Sequence, residues 1–153
     1  PVKGQEKYRV DYHDSPLTPL YPFGFGLTTS TFELSKPEVS GAGWPLKVKV
    51  NLTNRGARTA DETPQLYLSD EVRSVTPPRR ELKGFQRVRL TPGESKEIEF
   101  QIERSDLEFV GLDMKKTFEP GWYSLAVGTD STAPFSLRVK VEETGLAEVQ
   151  SGE

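Results

Sequence analysis

The sequence predicts an all-β sandwich of about seven short strands, preceded by an irregular aromatic arm. Three observations carry that reading. Prolines and glycines, 12 and 13 of them in 153 residues, punctuate the chain so closely that long helices have little room. From Thr28 onward apolar and polar residues alternate with the period of two that marks strands half-buried against a core. No helical pattern intervenes, and turn signals recur about every 8 to 15 residues, which favours a sandwich over a βαβ sheet.

The elements follow in order. Residues 1–27 hold Pro16, Pro19 and Pro22, then Gly24 and Gly26, with aromatic residues in neither a helical nor a strand period, and read as an interdomain arm or linker. Residues 28–143 carry the strands. Phe32 and Leu34 open the series weakly; the clearest member is Leu46 to Thr53, where Leu46, Val48, Val50 and Leu52 face inward and Lys47, Lys49, Asn51 and Thr53 face water. Leu66 and Leu68 mark another strand, and Pro64 before them, which cannot donate to a ladder, predicts an edge or a bulge. Phe85 to Leu90 reads as a weak strand. After the Thr91-Pro92-Gly93 turn, Ile98, Phe100 and Ile102 alternate with a carboxylate-rich outer face. Beyond Pro120-Gly121, Tyr123, Leu125 and Val127 point inward, and Tyr123 sits where sandwiches keep a tyrosine hydroxyl bonded to nearby backbone. Phe135, Leu137, Val139 and Val141 form the last predicted strand, and residues 144–153 read as a frayed tail. The architecture that follows is immunoglobulin-like or fibronectin III-like.

Composition narrows the function classes. Twenty Lys and Arg against 23 Asp and Glu give a net charge of −3, which supplies no basic field for nucleic acid or anionic lipid. The absence of Cys removes disulfides, thiolate metal sites and thiol nucleophiles. The single histidine, His13, lies in a Pro-rich stretch without a nucleophile motif, so a histidine relay is not expected. No apolar run approaches the 18 or more residues of a membrane helix. Because Pro1 is not an initiator and Met114 is the only methionine, the chain reads as a processed, excised or truncated polypeptide.

The chemistry-bearing residues point the same way. Asp61 with Glu62, Glu81, Glu94 with Glu97, and Asp106 with Glu108 are the candidate carboxylates for a glycosidase pair, but all fall on outer strand faces or turns, where a raised pKa is not expected. Asp11, Asp14 and Asp70 lack the close spacing of a calcium loop, and no cofactor is implied. The basic run Arg79-Arg80-Glu81-Leu82-Lys83, with Arg87 and Arg89, reads as a solvated face or a contact with another domain. Trp122 falls opposite the inward Tyr123 and is a candidate sugar or interface contact; Trp44, before Pro45, is a second candidate, better suited to plugging the core. Asn51-Leu52-Thr53 matches the N-glycosylation pattern, with significance only in a secretory eukaryotic source.

Specific strings go further. Pro19-Leu20-Tyr21-Pro22-Phe23-Gly24-Phe25-Gly26-Leu27, followed by Thr31-Phe32, resembles the signature leading into the C-terminal fibronectin III-like domain of glycoside hydrolase family 3 enzymes. Three further blocks resemble that domain in the same order: Asp61-Glu62 through Gln65-Leu66-Tyr67-Leu68; Glu81-Leu82-Lys83-Gly84-Phe85 through Leu90-Thr91-Pro92-Gly93-Glu94-Ser95; and Leu112-Asp113-Met114 through Glu119-Pro120-Gly121 to Val127-Gly128. The resemblance implies a parent retaining hydrolase of the β-glucosidase or β-xylosidase kind whose nucleophile and acid/base lie in other domains, so no catalytic residue carries over to this chain. It implies that Tyr8, Tyr12, Tyr21, Phe23 and Phe25 dock the sandwich onto the parent's catalytic domains, and that the protein is secreted or periplasmic. Where the family commonly has Gly-Leu-Ser-Tyr, this chain has Gly26-Leu27-Thr28-Thr29 and lacks the tyrosine. The leading expectation is a non-catalytic accessory domain with those catalytic domains as its partners, and neither nucleic acid nor membrane among them. The alternatives are a module that stacks polysaccharide on an exposed Trp and a free-standing adhesion-type sandwich.

Overall fold

The computed structural model describes residues 19–71, 74–76 and 78–152. One sheet is organised around β3 (Leu46–Asn54), whose neighbour on one side is β8 (Ser95–Ile102), antiparallel with Leu46 opposite Ile102 and Thr53 opposite Ser95. On its other side lie β1 (Phe32–Leu34) and β2 (Glu38–Ser40), both antiparallel to β3 and separated by Ser35-Lys36-Pro37. They act as one edge strand interrupted by proline, which cannot continue the ladder.

The facing sheet has five strands in the order β13 (Gly145–Ser151), β12 (Leu137–Glu142), β11 (Gly121–Gly128), β5 (Gln65–Asp70) and β6 (Glu81–Phe85). Two short pairs complete the strands: β4 (Ala60–Glu62) with β7 (Val88–Leu90), and β9 (Phe109–Val110) with β10 (Lys116–Thr117). A 3-10 turn at Arg104–Leu107 buries Leu107.

Alternation does what the sequence requires of it. Leu46, Val48, Val50 and Leu52 of β3 are buried and meet Ile98, Phe100 and Ile102 of β8, Leu66 and Leu68 of β5, Tyr123 and Leu125 of β11, and Leu137, Val139 and Val141 of β12. Each large aliphatic side chain removed from water contributes about 1.5–3 kcal/mol, so this shared interior dominates cohesion. Outside, Lys49 pairs with Glu97 at 2.7 Å and Lys47 with Glu99 at 3.5 Å, which turns the carboxylate-rich face of β8 into a cross-strand charge ladder. Tyr123 donates its hydroxyl to the Glu119 carbonyl at 2.8 Å, the local bond its position predicts. Buried Asn54 is fully satisfied: its amide donates to the Arg58 and Leu90 carbonyls, and its Oδ1 accepts from Ser30 and Gly56.

Three expectations need correction. The tail is not frayed over its length: β13 pairs with β12 from Gly145 opposite Glu142 to Ser151 opposite Leu137, and Leu146 packs on the core. Its alternation is masked because, as an edge strand, most of it is exposed on both faces. β5 is not an edge, since it lies between β11 and β6. Pro64 stands one residue outside it, buried, with its carbonyl accepting from Gln86, and the expected irregularity is a register shift opposite β6 between Leu66 and Tyr67. The Phe85 to Leu90 stretch, finally, divides between β6 and β7, which belong to different sheets.

Candidate functional site

Among the described residues the arm is bonded to the sandwich at the turn Pro22 to Phe25. Phe25 N–H donates to the Pro22 carbonyl at 3.1 Å, closing Pro22-Phe23-Gly24-Phe25 with Gly24 third at φ 81°, the left-handed region glycine favours. A Cβ at Gly24 would stand 2.1 Å from Gln65 Oε1 and 2.7 Å from the Tyr67 hydroxyl. That close approach permits a network. Gln65 Nε2 donates to the Gly24 carbonyl at 2.8 Å and to the Thr129 carbonyl at 2.7 Å, while Gln65 Oε1 accepts the Tyr67 hydroxyl. Ser131 N–H donates to the Phe23 carbonyl at 2.8 Å, and Thr28 Oγ1 to the Asp61 carbonyl at 2.9 Å.

The backbone of the turn is thus tied down while its side chains face away. Tyr21 is 66% exposed, Phe23 67% and Leu27 93%, and Tyr21 packs on Phe25 with ring centroids 5.2 Å apart. Strand parity puts Tyr67 on the outer face, yet it is 1% exposed, because the arm and Arg80 lie over it. That burial pushes the Tyr67 hydroxyl above its ordinary pKa of 10.0, with Asp130 adding and Arg80 opposing.

Beside the turn, Phe23, Tyr67, Arg79, Arg80, Leu82 and Ser131 line a cavity of about 570 Å³. Arg80 donates through Nη1 to the Ser131 carbonyl at 2.5 Å and the Ala133 carbonyl at 2.6 Å, with its guanidinium 4.3 Å from the Phe135 ring centroid and 5.5 Å from that of Tyr67. Burial lowers the Arg80 pKa from the guanidinium value, opposed by Tyr67 and Asp130, and Arg80 remains a cation. Arg79 is exposed.

The two tryptophans occupy different environments. Trp122 lies on the outer face of β11, half-buried, with the Arg138 guanidinium 4.1 Å from its ring centroid. Glu71 holds that guanidinium, accepting from Arg138 Nε at 2.8 Å and Nη2 at 2.7 Å, and accepts from Ser124 at 2.9 Å. Trp44 packs against the core, edge-on to Phe118 at 5.9 Å, and donates Nε1 to the Glu143 carbonyl at 3.0 Å.

The carboxylates are committed to structural contacts. Asp61 pairs with Arg87 at 2.6 Å, Glu81 with Lys83 at 2.7 Å and Glu108 with Arg104 at 3.1 Å, while Asp106 accepts from the Glu103 N–H. Arg138 holds Glu71 below its ordinary pKa, Thr91 does the same for Glu94, and Gln101 leads the groups that do so for Glu99; a general acid needs the opposite shift. Among the described residues no group of three or more His, Cys, Asp and Glu is arranged to hold a metal. Tyr8, Tyr12, Asp11, His13 and Asp14 lie outside the described residues.

The comparisons follow the same outline. A fibronectin type III-like domain model matches residues 62–131. The chain is 40% identical over 80% of its length to a β-xylosidase of Formosa agariphila, and 38% identical over 82% to a periplasmic β-glucosidase of Salmonella typhimurium. It superposes with a TM-score of 0.80, at 34% identity, on a β-glucosidase of Listeria innocua solved in complex with glucose, covering 92% of this chain and 20% of that one. The chain belongs to the fibronectin type III-like domains of family 3 glycoside hydrolases. It spans about 17% of the length of the curated relatives it matches.

Within this Fn3-like domain the structure gathers Tyr21, Phe23 and Phe25 at one turn and leaves Trp44 and Trp122 apart from it, each in its own packing environment. Gln65 and Tyr67 escaped sequence reasoning as site residues, whereas Arg80 stood out only as one member of the basic run. The signal of Gln65 and Tyr67 was faint: they share a strand face that parity assigns to solvent, and the arm and Arg80 bury it.

Proposed function

We propose that this Fn3-like domain is a non-catalytic accessory part of a family 3 glycoside hydrolase acting on β-glucosides or related β-glycosides, and that it braces the catalytic domains through the aromatic face of its arm. The observation that carries the reading is the turn at Pro22 to Phe25, whose backbone is bonded to the sandwich at Gln65 and Ser131 while Tyr21, Phe23 and Leu27 stay exposed. A rigid support under exposed aromatics is what a docking surface requires, because little conformational entropy remains to be lost on contact. Tyr8 and Tyr12 extend the same aromatic series toward the N-terminus. The similarity to a periplasmic enzyme supports a location outside the cytoplasm.

The reading is tested with Tyr21→Ser/Phe23→Ser in the intact polypeptide and in the 153-residue chain. Docking predicts a lowered thermal midpoint for the intact protein and little change for the isolated domain, whose own core these side chains do not fill. Equal losses in both would remove the docking role.

A further inference from the structure

Among the described residues the cavity beside Phe23 holds a guanidinium with no ion-pair partner. Arg80 is half-buried between Phe135 and Tyr67 and, among the described residues, donates through Nη1 to the carbonyls of Ser131 and Ala133. Among the described residues no carboxylate stands within ion-pair distance of Arg80 or Arg79; Asp130 acts on Arg80 from farther away, and its Oδ1 accepts from Thr132. Of the other cations of the basic run, Lys83 pairs with Glu81 and Arg87 with Asp61. A guanidinium withdrawn from water gains most from a hydrogen-bonded anion, and two arginines side by side suit the planar, two-oxygen geometry of a carboxylate.

We infer that Arg79 and Arg80 form the polar half of the docking surface and receive an Asp or Glu side chain from the catalytic-domain surface that covers Phe23. This rests on the docking reading above and adds the partner's chemistry: an apolar patch with a carboxylate at its border. Phe23 and Ser131 line the same cavity as both arginines, so a surface seated on the aromatic turn brings its next side chain to Arg79. The carboxylate fixes the register of a contact that aromatics alone leave free to slide.

The test uses the intact polypeptide carrying R79K, and separately R80K, treated with a carbodiimide that joins an amine to a carboxylate in direct contact. Peptide mass spectrometry should find the introduced lysine linked to an Asp or Glu outside the 153 residues, and high salt during the reaction should suppress the link. Hydroxyl-radical footprinting of the wild-type protein, run in parallel, reports whether Tyr21 and Phe23 are covered. Covered aromatics without such a cross-link in either variant overturn the carboxylate inference and leave docking standing. A link confined to Asp130 or another acid of this domain also overturns it. Freely oxidised Tyr21 and Phe23 overturn the docking reading itself.

Discussion

Gln65 Nε2 lies 2.8 Å from the Gly24 carbonyl, so a side chain of an interior strand holds the backbone of the N-terminal arm across 41 positions of sequence. The same amide spans to the Thr129 carbonyl and its oxygen takes the Tyr67 hydroxyl, so every hydrogen-bonding group of a buried glutamine has a use. The arm is therefore an outer layer of the sandwich from Pro22 to Gly24 and a presenting surface at its side chains.

Gly24→Ala should release that layer. The substitution forces a Cβ into Gln65 and Tyr67 and into a positive φ, at a combined cost of about 1–3 kcal/mol. For a chain of this length each kcal/mol lowers the thermal midpoint by about 2–4 °C. Hydrogen exchange should show the Phe25 and Ser131 amides losing protection while Val48 and Val50 keep theirs.

Truncation after Thr144 should destabilise the whole sandwich. It strips β13 from β12, turns β12 into an edge and removes Leu146 from the core margin, with an expected loss of about 2 kcal/mol or more. Thermal unfolding of the shortened chain measures it; an unchanged midpoint would mean that the pairing contributes nothing.

The Glu71–Arg138 pair should make stability pH-dependent in acid. Arg138 depresses the Glu71 pKa below its ordinary 4.5, so the stabilisation is present above that value and is lost as pH falls through the lower folded value. Arg138 is 40% and Glu71 26% exposed, so solvent screening keeps the effect small. Calorimetry of Glu71→Gln should show a lower midpoint than wild type at pH 6, with the gap closing as pH falls below 4.5. A gap that stays constant would locate the effect in packing.

Trp122→Ala should leave the mobility of the chain in gels containing soluble glucans unchanged. The Arg138 guanidinium, anchored by Glu71, already lies against the indole, and a sugar ring stacking there would have to displace it. Retardation of the wild type that Trp122→Ala abolishes would instead make this face a carbohydrate site.

Some of this protein was legible residue by residue. The period of two in Leu46 to Thr53 and Lys96 to Glu103 determined which side chains enter the core, because adjacent residues of a strand must point to opposite faces whatever the strand pairs with. The Tyr123 bond was legible for a related reason: its partner, Glu119, is four residues away and the turn between them is local. The aromatic content of the arm was visible too.

Other features depended on contacts between distant positions. Nothing in Gln65 or Tyr67 taken alone announces burial, since parity assigns them to solvent and it takes a turn 41 residues earlier, together with Arg80, to cover them. The tail became a strand because β12 offered it an open edge, which the composition of residues 145–151 does not reveal. Arg80 reads as one member of a basic run until the fold places it over Phe135 and Tyr67, beside the arm. Alternation thus determined the interior from sequence alone, through local backbone geometry. The outer layer, and with it the docking face, was decided by tertiary structure, because its chemistry exists only where the arm, β5 and the loop after β11 converge.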